Sequence, residues 1–118
     1  MNGFTEALNS LDTPGMARFF ADDITAFVPL AQADRVQGKE AVVKIFENFV
    51  RRTKPTTARL NITPEDVEVL ASGNLAMVSF NVREPAIKVT RRRTLVFRRD
   101  GDRWLIRHLH GSDFTTPN

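Results

Sequence analysis

Two histidines, His108 and His110, are the residues of this chain whose type and spacing best suit chemistry near neutral pH. Imidazole gains and loses a proton near neutrality, so such a pair can act as general acid and general base. Their i, i+2 spacing in an alternating segment predicts that both rings project from one face of a strand. A purely structural role, in which both rings satisfy buried hydrogen bonds, is the alternative. Asp23 is a third candidate for catalysis, or else a residue of a helix C-terminal turn or a cap at a strand start.

The histidines end a β-hairpin predicted within residues 91–114. Asp100-Gly101 supplies the positive-φ residues of a tight turn, and a two-residue loop there pairs Phe97 with Trp104. In that register, one face carries Arg91, Arg93, Leu95, Phe97, Trp104, Ile106, His108 and His110. The other face carries Leu105 and Leu109. A bulge in either strand changes this pairing.

Cationic and aromatic residues on or near this hairpin suggest ligand contacts. Arg83, Arg91 and Arg93 are candidate contacts for an anion. Trp104 and Phe27 are candidate apolar walls of the same site. The simpler interpretation places such arginines in solvated ion pairs and such aromatics in the core. Metal binding is not expected, because two histidines give at most two ligands and the chain contains no cysteine.

The rest of the chain predicts helices first and antiparallel strands afterwards, which is an α+β order. The predicted helices cover residues up to 11, 13–20 and 39–53, and the predicted strands cover 24–30, 34–37, 58–72, 74–84, 87–99 and 103–112. The helix over 39–53 has the strongest amphipathic pattern. Its Phe46 and Phe49 are expected to face the concave side of the sheet. Both hairpin faces carry apolar residues, so we expect helices on one face and a second subunit on the other.

Composition limits the classes of protein that fit. The 118 residues predict one domain over 1–118. No apolar run approaches the roughly 20 residues that cross a membrane, and MNGFTEALNSLD lacks signal-peptide features, so we expect a cytoplasmic location. Residues 83–118 hold nine Lys/Arg against four Asp/Glu. Nucleic-acid binding is not expected despite this charge, because aromatic residues are not interleaved with the basic ones.

The order and spacing of several short strings resemble the nuclear transport factor two-like, or cystatin-like, superfamily. The closer likeness is to its SnoaL-like branch and to the association (hub) domain of calcium/calmodulin-dependent protein kinase II. The strings that carry the resemblance span residues 12–113: Thr25-Ala26-Phe27 with Pro29, Val36 with Gly38, Phe46-Glu47-Asn48, Lys54-Pro55, Arg98-Arg99-Asp100-Gly101, Trp104 and His108-Leu109-His110-Gly111-Ser112.

The resemblance implies an α+β cone, with N-terminal helices packed in the concave face of a curved, mostly antiparallel sheet and a pocket at the open end. It also implies a homodimer through the convex face, or a larger ring as in the hub branch. The hub pocket carries arginines and a helical histidine. Here the helical position matches Val42, and Arg83 and residues 91–93 lie near the family's pocket arginines. A steroid-isomerase type of site uses a Tyr, and this chain has none.

Two classes of function therefore stay open. The first is a stand-alone domain that binds a small hydrophobic or anionic molecule or that oligomerises. The second is a cofactor-free isomerase, dehydratase or cyclase that acts on a hydrophobic small molecule in the cone pocket. No cofactor is expected in either case. A connected polar constellation inside the cone favours the enzyme, whereas an apolar or arginine-only pocket with a large interface favours the binding domain.

Overall fold

The computed structural model describes residues 2–29, 35–84 and 87–115. Its elements are α1 (Asn2–Asn9), α2 (Thr13–Ala17), β1 (Phe20–Phe27), β2 (Val36–Gln37), α3 (Lys39–Thr53), β3 (Glu65–Ser72), β4 (Leu75–Glu84), β5 (Val89–Asp100) and β6 (Arg103–Thr115). The strands form one sheet in the order β2-β1-β6-β5-β4-β3. Among the described strands, β1 and β6 run parallel and the other neighbours run antiparallel. The predicted α+β fold is confirmed.

Most element boundaries lie close to the sequence-based expectations, and the larger differences lie near residue 20 and at the start of β3. The second helix ends at Ala17, and β1 begins at Phe20, four residues earlier than expected. The side chain of Asp12 caps α2 by accepting a hydrogen bond from the Gly15 N–H at 3.0 Å. Strand pairing in β3 begins only at residue 65 instead of 58. Residues 30 and 34 of two predicted strands lie outside the described residues.

The helices cover one face of the sheet, which we call the inner face, and leave the opposite, outer face uncovered. α3 packs on β1 and buries Val42, Phe46 and Val50 along its inward stripe. The Phe46 ring centroid lies 5.6 Å from that of Phe20 and 6.3 Å from that of Phe4. The sheet contributes these buried side chains to the same core: Ile24, Ala26, Val78, Leu95, Phe97, Ile106 and Leu109.

The β5–β6 turn is one residue later than expected. Residues 101–102 form the turn, because Gly101 takes the positive φ of 66° while Asp100 still pairs within the sheet. Phe97 consequently pairs with Ile106, so the predicted pairing of Phe97 with Trp104 is wrong. The register is displaced by two residues, and a displacement of two leaves every side chain on its expected face.

A β-bulge at Arg107 has the larger effect. Two consecutive β5 residues pair with β6 residues on either side of Arg107, which is left without a direct partner. Val96 then pairs with His108. One extra residue moves every later β6 side chain to the opposite face. Leu109 therefore lies in the core at 4% exposure, and the two histidines lie on the outer face.

Replacing Phe46 with Ala is expected to lower the free energy of unfolding by about 3–5 kcal/mol, because a buried ring is lost without a substitute. Denaturant unfolding followed by circular dichroism measures this loss. Phe49→Ala is the matched control and should cost less, because the Phe49 ring is only partly buried. A loss below about 1 kcal/mol for Phe46→Ala would contradict the orientation of α3.

Candidate functional site

The residues predicted for a site fall into separate groups. Their positions are as follows: Phe27, His108 and His110 on the outer face; Arg91 and Arg93 on the inner face; Arg83 on the outer face of β4; Trp104 at the turn end of β6; and Asp23 in β1, where it pairs with Arg107. The predicted face that the histidines share with Arg91 and Arg93 is wrong, because the bulge at Arg107 reverses the end of β6.

Phe27, His108 and His110 form an aromatic cluster on the outer face. The parallel pairing of β1 with β6 sets Phe27 beside His110 and Thr25 beside His108. Each histidine ring centroid lies 5.6 Å from that of Phe27, and the two histidine centroids are 6.4 Å apart. The Arg35 guanidinium lies over the Phe27 ring, 5.3 Å from its centroid, in a cation–π contact. We call these residues the histidine cluster.

The surroundings of His108 favour its neutral form. Its Nδ1 lies 2.7 Å from Thr25 Oγ1. The same hydroxyl oxygen accepts a hydrogen bond from Arg107 Nη1 at 3.4 Å. Partial burial lowers the pKa of His108, and the neighbouring His110, Arg107 and Arg35 lower it further. A neutral ring with Nδ1 as acceptor from the Thr25 hydroxyl, and Nε2 as donor, fits this arrangement. All the charged groups that act on His108 are basic, so this ring has no orienting carboxylate among the described residues.

Asp23 is held as an ionised carboxylate. Both of its oxygens accept hydrogen bonds from Arg98, at 2.9 Å each, and its Oδ2 lies 3.2 Å from Arg107 Nε. The hydrogen bonds from Arg98 are the main reason that the pKa of Asp23 falls from 3.8 to about 2. Such a group has no proton to donate near neutral pH and is a weak base. The contacts instead join β1 to the bulge residue and to β5.

A carboxyl titration by NMR is expected to give a midpoint of about 2 for Asp23. A lowered folded-state pKa means that Asp23 stabilises the fold above the ordinary Asp pKa, and that this contribution disappears as the pH falls from about 4 towards about 2. Arg98→Gln should raise the midpoint towards the ordinary value. Arg99→Gln is the control, because Arg99 donates to the Gly101 carbonyl instead. An unchanged midpoint in Arg98→Gln would show that the ion pair is not formed.

Arg91 and Arg93 converge on one carboxylate on the inner face. Asp113 Oδ2 lies 2.9 Å from Arg91 Nη1, and Asp113 Oδ1 lies 3.0 Å from Arg93 Nη1. Arg91 Nε also donates to Glu84 at 2.8 Å. Gly111 leaves room for Arg93, since a Cβ at this position would lie 2.9 Å from Arg93 Nη1. Sequence reasoning missed Asp113 and Glu84, and the pairing of Arg91 with Asp113 follows only from the bulged register.

The remaining predicted site residues have other surroundings. Arg83 forms ion pairs with Glu65 at 2.8 Å and with Asp66 at 2.7 Å, which connect β4 to the edge strand β3. Trp104 is 40% exposed. It precedes His110 by six residues on the same strand, a separation of roughly 20 Å. Val42 is 1% exposed in the core, so the position matching the helical histidine of the hub branch is a packing position here.

Two surface concavities lie on the exposed side of α3, with volumes of about 510 and 300 Å³. Asn48 and Arg51 line both, and neither includes a predicted site residue, so neither corresponds to the expected cone pocket. Within the described ranges, no group of three or more His, Cys, Asp or Glu side chains could hold a metal ion. No helix in the described part of the chain is long and apolar enough to cross a membrane.

The sequence matches the family model for SnoaL-like domains over residues 1–117. The chain belongs to the SnoaL-like family. No curated protein matches this SnoaL-like chain. An NTF2-like protein of unknown function from Pseudomonas putida KT2440 superposes with a TM-score of 0.81 at 28% identity, over 94% of this chain and 79% of that one.

Two more distant structures share the fold. A proposed dehydratase of the NTF2-like family from Streptomyces avermitilis has a TM-score of 0.79 at 19% identity, over 98% of this chain and 91% of that one. The association domain of C. elegans CaMKII has a TM-score of 0.70 at 18% identity, over 94% of this chain and 88% of that one. The hub branch is therefore among the structural relatives, but its score is lower than that of the Pseudomonas protein. At these identities the likeness establishes the fold alone.

Proposed function

We propose that this SnoaL-like protein is a small-molecule-binding domain that self-associates as a homodimer through the outer face of its sheet. One observation supports the homodimer: the outer face holds a continuous group of apolar side chains that the helices leave uncovered. This outer apolar group comprises Leu70, Leu75, Met77, Val96 and Leu105, which cross-strand pairing brings together from four strands.

The exposure of this group supports a protein partner. Leu70 is 57% exposed and Leu75 is 50% exposed, although both belong to strands of the sheet. The described helices pack against the inner face, on its β1 side, and none packs on the outer face, so a second copy is the simplest cover for the outer one. A two-fold dimer buries the same group on both copies. Of the two residues that the sequence places on this face, Leu105 remains there, whereas Leu109 is in the core.

Leu70→Glu is expected to weaken the dimer about tenfold or more, because it introduces a charge into an apolar interface. Sedimentation equilibrium should show wild-type protein near twice the 13.3 kDa protomer mass and the variant shifted towards the protomer. Val69→Glu is the matched control: Val69 is 58% exposed on the same strand but points to the inner face. A wild-type monomer at micromolar concentration, or equal effects of both variants, would overturn the homodimer. A larger ring that contains the same interface would give a mass that is a higher multiple of the protomer mass.

The ligand part of the proposal concerns the inner face. Arg91 and Arg93 each donate to a different oxygen of the Asp113 carboxylate, so their guanidinium groups are already placed to bind a carboxylate. A small organic acid is the class of ligand that fits this pair, and it would have to displace Asp113. Removing the negative charge of Asp113 should therefore make the arginines available to a free carboxylate.

Benzoate, used as a carboxylate probe, is expected to bind Asp113→Asn more tightly than wild type in an NMR titration. Adding Arg93→Gln to Asp113→Asn should weaken that binding by about 1.5–3 kcal/mol, the range for a hydrogen bond to a charged group. Arg92→Gln in the same background is the control, because Arg92 lies on the outer face over the Phe114 ring. Equal affinities of the two arginine variants would rule out the carboxylate site.

The alternative function, a cofactor-free isomerase, dehydratase or cyclase, has less support from the geometry. Its proposed acid and base, His108 and His110, lie on the face opposite the helices and not inside the cone. Asp23 is bound by two arginines. If the protein is an enzyme, His108→Gln should change turnover, whereas a binding domain gives no turnover to change.

A further inference from the structure

We infer that the two-fold axis of the homodimer runs parallel to β4 and β5, so that the histidine cluster of each protomer lies against Glu68 of the partner subunit. This inference rests on the proposed homodimer and adds its orientation. It also gives the histidine cluster a carboxylate that none of the described residues of its own protomer provides.

A row of polar residues crosses the outer face. His110 pairs with Thr94, Thr94 pairs with Ser79, and Ser79 pairs with Glu68. Directly paired residues project from the same face, so the row runs across four strands and spans roughly 14 Å. Its two ends differ in charge. The histidine cluster with Arg35 lies at one end, and the carboxylate of Glu68 lies at the other.

Among the residues that the structure describes, the two ends have no partner of opposite charge. Glu68 makes no hydrogen bond or ion pair within the described part of the chain, and the contact of Arg35 there is with the Phe27 ring. Arg107, the other cation near His108, is paired with Asp23. The lowered pKa of His108 is consistent with a site in which cations gather without a neighbouring carboxylate. Each end therefore has the charge that the other end needs.

Symmetry restricts how two such faces can meet. When two copies of one sheet pack face to face, the two-fold axis lies in the plane between them. An axis across the strands sets every strand on its own copy, and an axis of this direction that passes through the polar row sets Arg35 opposite Arg35 and Glu68 opposite Glu68. Like charges placed opposite each other oppose association. This direction of the axis is therefore disfavoured.

An axis along the strands removes that conflict. With the axis between β4 and β5, β6 of one copy lies over β3 of the other, and β5 lies over β4. The histidine cluster then meets Glu68 of the partner subunit at both ends of the interface. Val96 lies over Met77 of the partner subunit, so the outer apolar group remains buried at the centre. Charge complementarity and apolar burial thus favour the same orientation.

Single-cysteine crosslinking tests this orientation, and the chain suits it because it contains no cysteine. His110→Cys and Glu68→Cys are prepared separately, mixed to allow subunit exchange, and treated with a bismaleimide whose reach matches the roughly 10 Å spacing of packed sheets. We expect a covalent dimer in the mixture and none from either variant alone. Glu47→Cys, on the exposed side of α3, is the control that should not crosslink with any variant. Sedimentation of each variant checks that the dimer persists.

The outcomes distinguish this inference from the proposed homodimer. Crosslinking of His110→Cys with itself would place the axis across the strands and overturn the inference. A dimer by sedimentation that gives no crosslink in the mixture would also overturn it, while the homodimer stands. A wild-type monomer would overturn both. If either substitution disrupts association, the pair Ser112→Cys and Glu65→Cys, which the next row of outer-face pairs places on the same two strands β6 and β3, replaces it, with the same pattern expected.

Discussion

The β-bulge at Arg107 is the constraint on which the distribution of side chains between the two sheet faces depends. Asp23 pairs with Arg107 and accepts two hydrogen bonds from Arg98, so one carboxylate of β1 connects the bulge to β5. Beyond the bulge, Leu109 enters the core. Without the bulge, the regular alternation of β6 would direct His108 to the inner face, beneath the helices, and Leu109 to the outer face.

The two faces then have different chemistry. The inner face combines the helix-covered core with two arginines that share the carboxylate of Asp113, in the space that Gly111 leaves open. The outer face combines the outer apolar group with the histidine cluster at one end and Glu68 at the other. Ligand binding and self-association are therefore proposed for opposite faces of one sheet. Either one can be altered by substitutions that leave the other face unchanged.

The fold could be predicted from the sequence, because it depends on patterns that extend over many residues. The stripe that buries Phe46 identifies α3 with its observed bounds. The grouping of the site residues could not be predicted, because one inserted residue in a strand reverses every later side chain. The sequence does contain a signal for the bulge: the apolar residues Ile106 and Leu109 are three apart, which regular alternation forbids for one face. The partner of Asp23 lies 75 residues away along the chain and leaves no local pattern.

Intermolecular NOEs show directly whether a second copy covers the outer face. A sample that mixes isotope-labelled and unlabelled protein reports only contacts between copies. We expect such NOEs for the methyl groups of Met77, Val96 and Leu105, which lie on the outer face. Core methyl groups, such as those of Leu95 and Leu109, should give none. The absence of intermolecular NOEs at the outer apolar group, at concentrations where the protein is a dimer, would contradict the account.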